Sequence, residues 1–251
     1  MTRATSDAST SERAVELSAR ESTSLTVHIL EPLSVSGVVI LFPGADGKLR
    51  NYGPPDLRQG NFLVRSRALF VARGFVSIVM DAPSDQPDGM WEFRTRPEHR
   101  ADIARVIAYA REKYRVPVWL VGTSRGSISA ANGATLTDGA ADGVVLTSSV
   151  TREGLGETGT LLDVDLAAIG IPVLLTHHVR DGCVLCPFAD TPEVLESLRS
   201  SPRRELMAFA GGDPEVSDPC KALSHHGYLG IEPQVVNAIC DWIRGTSSRT
   251  K

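Results

Sequence analysis

The 251 residues suit one large α/β domain or two small ones, and 42% hydrophobic with 22% charged content is ordinary for a globular chain. A net charge of -4 argues against a nucleic-acid partner held by phosphate neutralisation, and no run approaches the ~18 apolar residues of a membrane span. Met1 to Thr10 lack the basic region and apolar core of a signal peptide, which sets the expectation of a cytoplasmic protein, with an exported mature form as the alternative. Residues 1–22 are rich in Ser, Thr, Glu and Arg and read as a polar N-terminal arm or edge element ahead of a single domain over 23–251.

From there, period-two segments alternate with segments of helical period, the signature of a mostly parallel sheet with crossover helices. Ser24 to Leu30 alternates and reads as an early, partly exposed strand. Gly37 to Phe42 and Phe75 to Met80 are continuous apolar runs, as expected of strands buried on both faces. Val116 to Val121, Gly143 to Leu146, Ile171 to Leu175 and Glu205 to Phe209 complete the series. Helices are expected near 62–73, over Pro97–Tyr114 with Thr95 and Glu98 as a capping box, over Thr191–Ser200, and from about Glu232 to Arg244. Cys240 falls on the apolar face of the last helix and reads as core.

Two long connections, Ala45 to Asn61 and Pro83 to Arg96, follow the first two buried strands. Ligands of open parallel sheets bind beyond the carboxyl ends of the strands, so both should border a site. Met90, Trp91 and Phe93 would then form an apolar wall, or else cover the edge of the core. The short span from Thr147 to Gly170 leaves little room for a lid.

The stretch Val116 to Ser127 carries the chemistry. An apolar run stops at Gly122-Thr123-Ser124-Arg125-Gly126, and an alanine-rich helical segment follows. G-x-S-x-G between strand and helix is a nucleophile elbow, whose glycines let strand and helix approach and whose tight turn lifts the serine hydroxyl above the sheet. A serine needs a base to take its proton, and the base needs a carboxylate to orient it. Asp181 lies on the loop after the strand ending at Leu175, and His225-His226-Gly227-Tyr228 lies between the last strand and the last helix. Asp163 and Asp165 precede their strand, while Asp213 and Asp218 read as turn formers beside Gly211, Gly212 and Pro219.

This order of elbow, acid and histidine over residues 24–245 resembles the α/β-hydrolase fold superfamily, in particular lid-poor serine esterases, lipases and dienelactone hydrolases. The resemblance implies a three-layer α/β fold, a mostly parallel central sheet with helices on both faces. It implies Ser124 as nucleophile, Asp181 as acid and His226 as base, since members often carry the histidine directly before Gly and an aromatic. It also implies oxyanion donors from the main chain of Ala45 and Arg125. Pro43 stands where many members have a histidine, which removes a side chain that usually anchors the oxyanion loop. Arg125, with Trp91 and Met90, is a candidate substrate contact; an ion pair is the alternative for Arg125. The implied partner is a small acyl substrate and no cofactor. Acyl transfer, cyclisation or a catalytically silent receptor are the rival readings.

Three of the four cysteines and four of the six histidines fall in the windows 177–186 and 220–226. Cys183, Cys186, Cys220 and a histidine make an acceptable zinc set by ligand type. Against it, only Cys183 and Cys186 have metal-like spacing, and adjacent histidines rarely face one ion, so the expectation is no metal. A disulfide from Cys220 to Cys183 or Cys186 would tie the long histidine loop to the acid loop, though it suits a reducing cytoplasm poorly. Free thiols are the third state.

Overall fold

The continuous apolar runs Gly37–Phe42 and Phe75–Met80 are both strands of one eight-stranded sheet. A computed structural model describes residues 12–49, 60–154 and 159–247. The strands are β1 (Arg13–Arg20), β2 (Thr23–Leu30), β3 (Gly37–Phe42), β4 (Phe75–Met80), β5 (Val118–Thr123), β6 (Gly143–Thr147), β7 (Val173–His178) and β8 (Arg204–Phe209). Their order is β1-β2-β4-β3-β5-β6-β7-β8. The first two pairings are antiparallel and the rest are parallel.

The helices are α1 (Phe62–Ala72), α2 (Pro97–Tyr114), α3 (Gly126–Ala134), α4 (Thr191–Ser197) and α5 (Glu232–Ser247). Side chains from α2, α3 and α4 pack with Val38, Ile40 and Phe42 on one face of the sheet. Those from α1 and α5 pack with Val39, Leu41 and Trp119 on the other. Alternate residues of β3 therefore serve opposite cores, which is why its sequence is apolar throughout. Burying each such aliphatic side chain contributes about 1.5–3 kcal/mol. The result is three layers, helix, sheet and helix.

Three local expectations differ. The proposed domain boundary at residue 23 falls inside a hairpin, because Arg13–Arg20 pairs with Thr23–Ile29 as the outermost strand. This is the edge-element form of the N-terminal segment; residues 1–11 lie outside the described residues. Thr95 and Glu98 form no capping box: Arg96 caps α2 without a side-chain bond, and Pro97 opens the helix with a φ already suited to it. Strand β7 runs on through His177 and His178, both buried, so Asp181 follows its end by three residues.

Candidate active site

The carboxyl ends of β3, β5, β7 and β8 face a common cleft of about 500 Å³. Ser124 sits between β5 and α3 with φ 52°, a left-handed conformation that a side-chain-bearing residue holds only under constraint. The constraint is visible on both sides. A Cβ on Gly122 would lie 2.3 Å from the Gly126 carbonyl oxygen, and one on Gly126 would lie 2.0 Å from that of Phe42. Only hydrogen at these positions allows α3 to meet the sheet so closely. The Ser124 N–H donates to Thr147 O at 3.0 Å, and Ser127 Oγ donates to Ser124 O at 2.7 Å. Ser124 itself lines the cleft.

Asp181 and His226 are brought together from loops after β7 and β8, with His226 Nδ1 2.8 Å from Asp181 Oδ2. Given a carboxylate partner, Nδ1 carries the proton and donates, which leaves Nε2 as the ring's acceptor. The same Oδ2 lies 3.2 Å from His177 Nε2, and Oδ1 accepts from the Cys183 N–H at 2.9 Å. Burial alone would raise the pKa of Asp181, yet hydrogen bonds from His177 and His226 outweigh it and hold the carboxyl down at about 2. Asp181 is a buried, fixed anion at neutral pH. His226 lines the same cleft as Ser124.

His177 is a neighbour of Asp181 that the sequence did not reveal. Its Nε2 also donates to Cys186 O at 2.9 Å, so one ring holds Asp181 and the next turn of the loop together. The signal was present in Thr176-His177-His178, which continues the period-two pattern beyond the apolar run. Ser148, likewise unforeseen, donates Oγ to His226 O at 2.9 Å and steadies the His226 main chain from just beyond β6. Tyr228 is fully buried, bonded to Thr176 Oγ1 at 3.0 Å and packed against Phe62 and Phe209. His225 turns away from the acid: it stacks on His178 at 4.4 Å and faces Glu215 at 3.0 Å.

The loop after β3 approaches Ser124 through Gly44, where a Cβ would stand 3.0 Å from Ser124 Cβ. Ala45, with φ 49°, follows it and lines the cleft. Residues 50–59 of this connection lie outside the described residues. Pro43 leaves the loop without the anchoring side chain noted above, and Arg94 takes that part. Its buried guanidinium donates to Pro43 O and Ala45 O, both at 3.1 Å, and to Ser129 Oγ at 2.8 Å. Burial, helped by the nearby charge of Arg125, lowers the Arg94 pKa to about 9, which leaves it cationic at neutral pH. A solitary arginine in a loop carries no sequence pattern that would have flagged it.

Met90 does not reach the cleft, contrary to expectation. It is buried, packs with Ala82 and Phe93, and its N–H donates to Asp46 O at 2.9 Å. Trp91 does line the cleft, with the Arg125 guanidinium 5.6 Å from its ring centroid. That stacking is part of what occupies the buried Arg125 side chain beside Ser124.

Of the three cysteine states, a disulfide is formed, between Cys183 and Cys220 over a sequence separation of 37. It joins the acid loop to the histidine loop across the cleft wall. Cys186 and Cys240 are buried outside it. Ligand atoms of Cys183, Cys186 and His226 nevertheless lie within 4.8 Å of one another, the one potential metal set of three or more such residues among those described.

No protein-family model matches the chain, and no curated protein matches it by sequence. Solved structures do. A dienelactone hydrolase from Anabaena variabilis superposes with a TM-score of 0.65 over 94% of this chain and 97% of its own, at 16% identity. This chain has the α/β-hydrolase fold. Est1E from Butyrivibrio proteoclasticus gives a TM-score of 0.63 at 13% identity, covering 94% of this chain and 99% of its own. XC6422 from Xanthomonas campestris, described as an α/β serine hydrolase without a lid, gives 0.59 at 13% identity over 96% and 95%. Among the described residues, no helix is long and apolar enough to cross a membrane.

Proposed function

We propose that the chain is a serine hydrolase of carboxylic esters or related acyl compounds, working through an acyl-enzyme. The observation that carries this reading is the Asp181–His226 pair at 2.8 Å opening on the cleft lined by Ser124. His226 Nε2 takes the Ser124 proton as Oγ attacks the acyl carbon, then returns it to the departing alcohol. A water, deprotonated by the same nitrogen, releases the acid. Asp181 stays ionised throughout and stabilises the imidazolium. The developing oxyanion is met by the main-chain N–H groups of Ala45 and Arg125, the first on the loop pinned by Arg94, the second at the start of α3.

A cleft of about 500 Å³ bounded by Phe62, Trp91, Val150 and Leu185 suits a small or medium acyl compound. Arg125 and Lys221 bring cations to it, which favours substrates with an anionic group away from the scissile bond. The test is Ser124→Ala: turnover of a short p-nitrophenyl ester and labelling by a fluorophosphonate should both vanish. Turnover persisting in that variant removes Ser124 from the mechanism.

A further inference from the structure

The sulfurs that line one wall of the cleft carry no chemical step of the proposed ester hydrolysis. Cys183 and Cys186 are 2% and 1% exposed, and a β-turn closed by Cys186 N–H to Cys183 O at 3.0 Å sets both side chains toward His226. Cys220 is bonded to Cys183 and is exposed, so a reductant in solvent can reach that end of the bridge. Two sulfurs and one imidazole thus lie within 4.8 Å of one another, and the third sulfur is bonded to the first. The two adjacent histidines need not share an ion here, because His225 is engaged with His178 and Glu215 and only His226 is grouped with the sulfurs.

We propose that opening the Cys183–Cys220 disulfide creates a Cys3His site for Zn2+, formed by Cys183, Cys186, Cys220 and His226, and that metal held there shuts down catalysis. With bonds of about 2.3 Å to sulfur and 2.0 Å to nitrogen, tetrahedral ligands stand roughly 3.5–3.8 Å apart. The ligand atoms of Cys183, Cys186 and His226, already within 4.8 Å, need to close by about 1 Å, while the Cys220 sulfur, once released from Cys183, has to swing out to the same separation on its exposed loop. Nδ1 of His226 is held by Asp181, so Nε2 is the coordinating nitrogen, in the carboxylate–histidine–zinc arrangement that fixes ring orientation at metal sites.

The oxidised protein cannot form this site, since a thiolate is the ligand and Cys183 sulfur is committed to Cys220. A dithiol supplies two electrons, is itself oxidised to a disulfide, and leaves Cys183 and Cys220 as thiols. Zn2+ then displaces the protons of the three thiols to solvent and takes the lone pair of neutral His226. That lone pair is the one that accepts the Ser124 proton in the hydrolytic cycle. The inhibitory consequence therefore rests on the serine-hydrolase reading, whereas the site itself does not.

The experiment uses the full chain, oxidised or reduced by a dithiol that is removed under anaerobic conditions, titrated with Co2+ and then Zn2+. Reduced protein should take up equimolar Co2+ with the ligand-field bands of a tetrahedral thiolate complex, and Zn2+ should displace it; oxidised protein should show neither. Cys186→Ser should weaken Co2+ by at least about 100-fold, the upper end of what losing even an outer partner costs. Ester turnover of the reduced protein should fall on adding equimolar Zn2+ and return with a chelator. Absence of tetrahedral Co2+ in reduced protein, or equal affinity in Cys186→Ser, overturns the site. Zinc binding with unchanged turnover overturns His226 as a ligand. A wild type without esterase activity refutes the hydrolase reading, while the cobalt spectrum still judges the site. Cys220→Ser offers a second route, with Cys183, Cys186 and His226 in place and no bridge to open. Loss of far-UV circular dichroism in both this variant and the reduced protein overturns the proposal, because the site needs the native loops.

Discussion

Replacing Asp181 by asparagine tests the acid from two directions. Its carboxylate meets donors only: His226 Nδ1 and His177 Nε2 at Oδ2, and the Cys183 N–H at Oδ1. An asparagine has one acceptor oxygen and one NH2 group, so some donor must face a donor. If the oxygen keeps the histidines, the Cys183 amide is orphaned; if it turns to Cys183, both rings meet the NH2 and His226 is driven to the wrong tautomer. Serine hydrolases with that defect lose about 10⁴ in turnover, so Asp181→Asn should lower kcat on a p-nitrophenyl ester by roughly 10³–10⁴. Stability should respond too. The fall of the Asp181 pKa from 3.8 to about 2 corresponds to about 2 kcal/mol in favour of the folded state above pH ~4. A depressed carboxylate pKa stabilises above the unfolded value and loses that contribution as pH falls towards the folded one. Urea unfolding should therefore place the variant about 2 kcal/mol or more below wild type at pH 7, with the gap narrowing between pH ~4 and ~2. Equal stability at pH 7, or kcat within about tenfold of wild type, refutes the reasoning.

Arg94→Met should lower kcat by about 10–100-fold with little change in KM, since it frees the carbonyls that fix the Ala45 loop; a parallel change in KM alone contradicts a positioning role. Opening the Cys183–Cys220 bridge in metal-free protein should lower the unfolding free energy by about 4 kcal/mol for a 37-residue separation, and an unchanged urea midpoint contradicts this. Gly44→Ala should reduce turnover sharply while leaving folding intact, because the new methyl stands 3.0 Å from Ser124 Cβ; unaffected kinetics would show that the loop has slack. Arg125→Met should cost about 10–100-fold in kcat/KM on an ester bearing a remote carboxylate and little on a neutral one, and equal losses on both sink anion recognition.

The fold was legible because its strands are continuous apolar runs and its helices carry apolar stripes, both properties of local sequence. Boundaries failed where burial is polar: His177 and His178 extend β7 with no apolar signal, since their rings are satisfied by Cys186 O and Gly211 O. The candidates Ser124, Asp181 and His226 could be named from the order of motifs along the chain. Their supports could not. Arg94, Ser148 and His177 act across 49, 78 and 4 residues respectively, and nothing in their local pattern distinguishes them from a surface cation, a turn serine or a core histidine. Met90 was misplaced for a related reason. Its loop looked free to face a ligand, but the Met90 N–H bond to Asp46 and the Arg94 anchor draw it inward. The cysteines were ambiguous because Cys183 and Cys186 sit one turn apart, and only the path of the histidine loop selects between them.

These supports have a common logic. Each half of the candidate site rides on a long connection that secondary structure does not hold: the loop after β3 carries Ala45, and the loop after β8 carries His226. The first is fixed by one buried guanidinium reaching two carbonyls, the second by a covalent bridge plus Ser148. The two anchors differ in what can undo them. Buried hydrogen bonds of a guanidinium have no reagent at neutral pH, whereas a disulfide with one half on an exposed residue has one in any dithiol. Loss of about 4 kcal/mol from the bridge still leaves a domain of ordinary stability folded. The histidine loop is thus the half whose geometry answers to redox conditions, and the thiols released there are the ones best placed to take a metal.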